Sequence, residues 1–162
     1  MRKKTDRQKI DQIVETFVEQ LGLVAQAEGM PRIAGRIMGF LVIHGGPFSF
    51  TELAKRLQVS RGSISTNSRL LENLGVIERV AQPGDRQDYF QIRRKPYVEL
   101  LKGSVTRLYK ARAVVDEAKE KLPDTWKETQ ARLEELGLFY GGMIKSTEAM
   151  IIPSKKYGNR NS

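Results

Sequence analysis

Between residues 61 and 73, Arg61, Gly62, Ser65, Thr66, Arg69 and Asn73 fall within one face of a helix drawn at 100° per residue. An ordinary solvated helix face is rich in Glu and Lys, whereas this one is short, polar and cationic, with a glycine near its start. Small side chains let a helix lie deep in a groove, hydroxyls bond phosphates or base edges, and arginine can bond guanine through two parallel hydrogen bonds. A second group follows in Pro83-Gly84-Asp85-Arg86, a run with strong turn chemistry. Arg86 would project from that turn, with Asp85 placed to hold its guanidinium by charge-assisted hydrogen bonds.

The elements that position these groups are legible in residues 48–92. Ser49-Phe50-Thr51-Glu52 is a capping box. It starts a helix with Leu53, Ala54 and Leu57 on one face. Gln58-Val59-Ser60 breaks that pattern; Val59 plugs the angle between two helices and Ser60 caps the next. The second helix is expected over residues 61–74, with Ile64, Leu70, Leu71 and Leu74 as its core stripe and Gly75 as its C-terminal stop. Residues 76–80 and 88–92 are rich in β-branched or aromatic side chains and read as a two-stranded ribbon around the turn. Two short helices, a tight turn and a basic-tipped ribbon are the layout of a winged helix-turn-helix.

In the same order and spacing the chain resembles the MarR-like winged-helix transcriptional regulators, in particular the GbsR-like branch. The matching words are Gly29-Met30-Pro31-Arg32-Ile33-Ala34-Gly35-Arg36-Ile37, Ser60-Arg61-Gly62-Ser63-Ile64-Ser65, Leu71-Glu72-Asn73-Leu74-Gly75-Val76-Ile77, Pro83-Gly84-Asp85-Arg86 and Tyr89. The resemblance covers residues 29–92 and implies double-stranded DNA as the partner. Arg61, Gly62, Ser63, Ser65, Thr66, Arg69, Asp85 and Arg86 are the candidate DNA-binding residues. One departure is Asn67-Ser68, polar where the family pattern calls for an apolar pair. Either the helix is rotated slightly or one of these side chains is satisfied inside, so Asn67 is not counted as a base reader.

Lys and Arg number 28 against 19 Asp and Glu in 162 residues, a net charge of +9 that points to an anionic partner. With no cysteine there is no disulfide framework, thiol nucleophile or cysteine zinc site. His44 is the one histidine; it has no motif partner and is expected near a helix end. Neither a phosphate loop nor a metal-ligand cluster is present, so no catalytic residue, metal or cofactor is expected. No apolar run approaches the roughly 18 residues of a membrane span, and residues 1–12 lack a signal peptide's apolar region. A cytoplasmic location is expected.

The flanks are helical. Residues 6–28 carry the stripe Ile10, Ile13, Val14, Phe17, Leu21 and Val24. Pro31 opens a helix reaching His44, in which Gly35 and Gly39 admit a close neighbour. Arg93-Arg94-Lys95-Pro96 is a basic bridge, either a phosphate contact or a solvated linker. A helix over residues 96–122, roughly 40 Å long, and another from Asp124 to about Met150 follow. The expected organisation is mainly α with a small β-ribbon. Residues 1–28 form a dimerisation helix, 29–95 the winged helix-turn-helix, 96–152 further dimerisation helices with room for an effector, and 153–162 a disordered basic tail.

Together these features describe a homodimeric, sequence-specific DNA-binding transcriptional regulator acting as a repressor, with a small-molecule effector. The GbsR-like resemblance implies osmoprotectant metabolism and hence a quaternary ammonium ligand, for which Trp126, Phe139, Tyr140, Tyr109 and Phe17 supply aromatic faces; ordinary core packing is the competing account of those rings. The alternative functions are a winged-helix protein-interaction module and a non-specific chromosomal protein.

Overall fold

The first two helices, α1 (Arg2–Ala27) and α2 (Arg32–His44), meet through small residues. A Cβ added at Gly35 would lie 2.5 Å from the Ala25 Cβ and 2.7 Å from the Leu21 carbonyl oxygen. One at Gly22 would lie 2.7 Å from Arg36 Cγ, and one at Gly39 3.3 Å from the Val18 Cα. The backbones approach as closely as the Gly35 and Gly39 spacing allows. The computed structural model describes residues 2–157, with side chains over residues 6–151. Two compact units result, Met1–Pro96 and Tyr97–Ser162.

In the first unit, β1 (Phe48–Ser49), α3 (Phe50–Leu57), α4 (Arg61–Asn73), β2 (Ile77–Val80) and β3 (Tyr89–Ile92) follow α2. Ser49 caps α3 as the sequence predicts. Its hydroxyl accepts from the Glu52 amide at 3.2 Å while its own amide donates to the Glu52 carboxylate at 2.7 Å. The Ser49 amide, and then its hydroxyl, hold the Glu52 carboxyl below its ordinary range. Gln58 ends α3 with φ +53, in the left-handed region, and the chain re-enters a helix at Ser60, whose hydroxyl accepts from the Ser63 amide at 3.1 Å. At the far end of α4, Gly75 has φ +77; its amide donates to the Glu72 carbonyl and that of Val76 to the Leu71 carbonyl. This paired closure satisfies two orphan carbonyls and turns the chain into β2.

The expected two-stranded ribbon is an antiparallel sheet of three strands in the order β1-β3-β2. Arg79 pairs with Phe90 across β2 and β3, and Phe48 pairs with Phe90 on the other side. β1 was missed because two residues carry no periodicity. The core lies between the sheet and the helices: Ile37, Leu41, Leu53, Ile64, Leu71, Val76, Ile77 and Phe90 are fully buried.

The second unit is a pair of helices, α5 (Pro96–Lys121) and α6 (Lys127–Tyr157). Gln130 on α6 donates to the Lys119 and Leu122 carbonyls, closing the open end of α5. Arg112 on α5 bonds Asp116 and the Gly137 carbonyl, Lys119 bonds Glu134, and the Tyr109 hydroxyl donates to Glu148 at 3.0 Å. These links run in opposite chain directions, so the pair is antiparallel. Two boundaries differ from expectation. Asp124 does not cap α6, because it lies inside a turn closed by the Trp126 amide on the Pro123 carbonyl. The helix also continues past Met150 and Pro153 to Tyr157, where the sequence suggests a disordered tail; a proline removes one backbone donor without forbidding the turns after it. Residues 158–162 of that tail lie outside the described residues.

Gly35→Ala is expected to destabilise the protein by about 1–3 kcal/mol through overpacking, outweighing the gain of about 1 kcal/mol in helix propensity. Urea denaturation of the variant and the parent measures it, and equal midpoints would show that α1 and α2 are not in this close contact.

Candidate nucleic-acid interface

The helix α4 carries two faces with opposite environments. Ile64, Asn67, Ser68 and Leu71 are buried, whereas Arg61, Gly62, Thr66, Arg69 and Asn73 are exposed and Ser65 is half-buried. A residue sequence of Gly, Ser, Thr and Asn is a weak helix former, costing about 0.5–1 kcal/mol per position relative to Ala. Burial of Ile64 and Leu71, worth about 1.5–3 kcal/mol each, is what holds it helical and sets which face remains outside.

Two candidate residues have local duties. The Ser63 hydroxyl accepts from the Ser60 hydroxyl at 3.0 Å, and its carbonyl accepts from Asn67 Nδ2 at 2.8 Å. Ser63 is therefore engaged in the cap as well as half-buried. The question raised by Asn67-Ser68 resolves inward: both are buried, Asn67 bonding within its own helix and the Ser68 hydroxyl having no protein partner.

The wing is the loop of residues 81–88. The Asp85 amide donates to the Gln82 carbonyl at 3.1 Å, closing a turn with Pro83 at its second position and Gly84, φ +84, at its third. Only a residue free of Cβ takes that third position without strain. Asp85 does not hold Arg86. Its carboxylate accepts from the Tyr89 hydroxyl at 2.7 Å and from the Gln87 amide at 2.9 Å. The turn directs the side chain back along β3, where an Asx-type bond two residues onward is the nearest geometry. The Tyr89 hydroxyl first, and the Gln87 amide second, hold the Asp85 carboxyl below its ordinary range, and Asp85 in turn raises the Tyr89 hydroxyl. Arg86 is exposed and makes no ion pair among the described residues.

The cations of this unit thus sort into two groups. Arg32 and Arg36 pair with Glu19 at 2.7 and 2.6 Å, and Arg79 pairs with Glu72 and Asp88. Arg93, from the expected basic bridge, folds onto the Ile77 carbonyl and lies 4.0 Å from Glu78. Lys55, Arg61, Arg69 and Arg86 are exposed without an ion pair among the described residues. Lys55 and Arg56, in the last turn of α3, are exposed as well; the nearby acid, Glu52, is taken up by Ser49 in the capping box, which is the signal that leaves these two cations unpaired. Tyr89 was noted only as part of a motif, because its tie to Asp85 depends on the turn.

Among the described residues no group of three or more His, Cys, Asp and Glu could hold a metal, and no helix is long and apolar enough to cross a membrane. His44 ends α2, exposed and 4.4 Å from the Phe40 ring centre. Of the rings proposed for an aromatic cage, Phe139 and Tyr140 contact each other at 5.6 Å, Trp126 is exposed ahead of α6, and Tyr109 is tied to Glu148.

Comparison with known proteins gives consistent results. A profile of the MarR family matches residues 28–88, from the end of α1 to the foot of the wing. The HTH-type transcriptional regulator MmpR5 of Mycobacterium tuberculosis is 34% identical over 121 residues, 74% of this chain and 73% of that protein. The HTH-type transcriptional repressor OpcR of Bacillus subtilis is 25% identical over 95 residues, 59% of this chain and 51% of that one. A solved crystal structure of a transcriptional regulator superposes with a TM-score of 0.79 at 29% identity, covering 88% of this chain and 98% of that one.

In Tyr89→Phe the Asp85 carboxyl is expected to titrate upward, toward its ordinary value, because the donor that favours its ionised form is gone. Carbon-13 NMR of the side-chain carboxyl measures this, and an unmoved titration would place the wing in a different hydrogen-bonded arrangement.

Proposed function

The chain belongs to the MarR family of HTH-type, DNA-binding transcriptional regulators, and on that premise we propose that it is a homodimeric repressor reading a two-fold symmetric operator. The observation that carries the reading is the exposed face of α4. Arg61, Gly62, Ser65, Thr66 and Arg69 stand clear of the core, and both arginines are without acidic partners among the described residues. This face enters the major groove, Arg61 and Arg69 reaching base edges or phosphates and the hydroxyls completing the contacts. Arg86 reaches the backbone or minor groove beside it, and Asp85 shapes the wing that presents it. Ser63 acts through the cap at the helix start.

Dimerisation draws support from apolar surface that one chain leaves uncovered. On α1, Ile10, Ile13, Phe17 and Val24 form an exposed row, with Ile13 at 67%. On α6, Leu136, Phe139, Met143 and Met150 repeat the same spacing and are also exposed. Rows of this kind bury themselves against a second helix, and a two-fold dimer presents two recognition helices to half-sites one DNA turn apart. Repression then follows from occupancy of a promoter in the cytoplasm. A small-molecule effector, for which the GbsR-like resemblance suggests a quaternary ammonium compound, would act by preferring one spacing of the recognition helices; Trp126, just ahead of α6, and Tyr109, tied to Glu148 far along it, are too widely separated to close one aromatic cage around it.

Two measurements test this. In a gel shift against the chain's own upstream DNA and a scrambled duplex across a salt series, the native duplex is expected to bind more tightly and survive more salt. Arg69→Ala and Arg86→Ala should each weaken binding and reduce the salt slope by about one counterion. Equal, salt-sensitive binding to both duplexes would instead favour a non-specific chromosomal or protein-docking role. In sedimentation, Ile13→Asp is expected to shift the protein toward monomer and to weaken operator binding with it; a dimer undiminished by that charge would remove the α1 row from the interface.

A further inference from the structure

Two carboxylates, Glu72 and Asp88, lie beside the cationic groups of α4 and the wing, and both engage one arginine. Arg79 Nη2 donates to Glu72 Oε2 at 3.3 Å, and Nη1 donates to Asp88 Oδ2 at 3.1 Å. Its Cζ lies 5.6 Å from the ring centre of Phe90, its register partner on β3 and a fully buried core residue. Glu72 belongs to the last turn of α4, Arg79 to the middle of β2, and Asp88 to the foot of the wing just before β3. One planar guanidinium therefore touches the recognition helix, the wing and the core ring beneath both. The fork geometry makes such a contact directional in a way that an ammonium cannot.

The other polar groups of the ribbon point elsewhere. Gln91 donates to Glu78 at 2.8 Å, and Glu78 also faces Arg93, on the opposite side of β2 from Arg79 by strand alternation. Asp88, by contrast, engages Arg79. A carboxylate next to a DNA-facing wing is unfavourable by simple electrostatics, since phosphates repel it and binding rests on releasing cations from DNA. Its presence calls for a gain of another kind. Exposed ion pairs contribute little to folding, so that gain is geometric.

We propose that Arg79 is a positioning residue that, through Glu72 and Asp88, fixes the angle between the wing and the recognition helix, so that Arg86 and the outer face of α4 meet DNA as one surface. This rests on the DNA-binding reading above. It separates Arg79 from Arg61, Arg69 and Arg86, although all four belong to the same cationic stretch. Asp88 and Glu72 are struts of the interface without touching DNA themselves.

The test turns on sign. Asp88→Asn removes a negative charge near DNA and is expected to weaken operator binding about three- to fivefold, the range of one exposed ion pair. Arg79→Gln and Arg79→Lys are expected to weaken it alike, because lysine keeps the charge and loses the fork. In an Arg86→Ala background Asp88→Asn should cost no further affinity, because the contact it positions is already gone. Tighter binding by Asp88→Asn, rescue by Arg79→Lys, or losses at Arg79 and Arg86 that add would overturn the proposal and make Arg79 a direct phosphate contact. A measurement without DNA separates this from the parent reading. Nitrogen-15 order parameters at Arg86 should fall in Arg79→Gln and Asp88→Asn while the melting temperature holds; unchanged order parameters would overturn the positioning role whatever the protein binds.

Discussion

The fold depends on the burial of one narrow stripe along α4. Ile64, Ser68 and Leu71 are without solvent exposure, and with the buried Asn67 they set which way the helix faces. Gly62, Ser63, Ser65, Thr66 and Asn73 have little preference for being helical. Because the stripe is pressed into α2, α3 and the sheet, the face carrying Arg61, Thr66 and Arg69 has nowhere to go but outward. The proposed recognition surface is thus the part of α4 left over once the core has taken what it needs.

Charge is distributed by a similar division. A net charge of +9 says only that the chain favours polyanions. Pairing by Glu19, Glu72, Asp88 and Glu78 takes several arginines out of general attraction and gives them structural tasks. On α3, α4 and the wing, Lys55, Arg56, Arg61, Arg69 and Arg86 stay exposed without an ion pair among the described residues. Acidic residues of this unit thus hold Arg32, Arg36, Arg79 and Arg93 against the fold.

Much of this was legible in the sequence, and the reasons differ by element. The capping box at Ser49, the cap at Ser60 and the stop at Gly75 are local hydrogen-bond geometries, so a few residues specify each. The strands β2 and β3 appeared within a residue of their observed limits because β-branched and aromatic residues flank an unmistakable turn. β1 was invisible, since its strand character comes from pairing with β3 alone. The wing shows the limit most clearly. Asp85 beside Arg86 invited an ion pair, and the turn instead delivered the carboxylate to Tyr89, four residues on. The partners of Arg79 are seven and nine residues away on different elements, and no spacing rule connects them. On α1 the stripe Ile10, Ile13, Phe17 and Val24 was plain but lies outward, whereas the apolar side chains buried on that helix, Val18 and Ala25, fall outside the stripe and are revealed only by the structure.

Glu19 grips both Arg32 and Arg36, and the Arg36 guanidinium continues to the carbonyl of Leu57, the last residue of α3. Beneath that grip, the α1–α2 contact leaves no space for even a methyl group. Close packing and shared ion pairs thus join α1 and α2 to the end of α3, one turn ahead of α4, so the outer row of α1 and the helix-turn-helix belong to one continuous set of contacts.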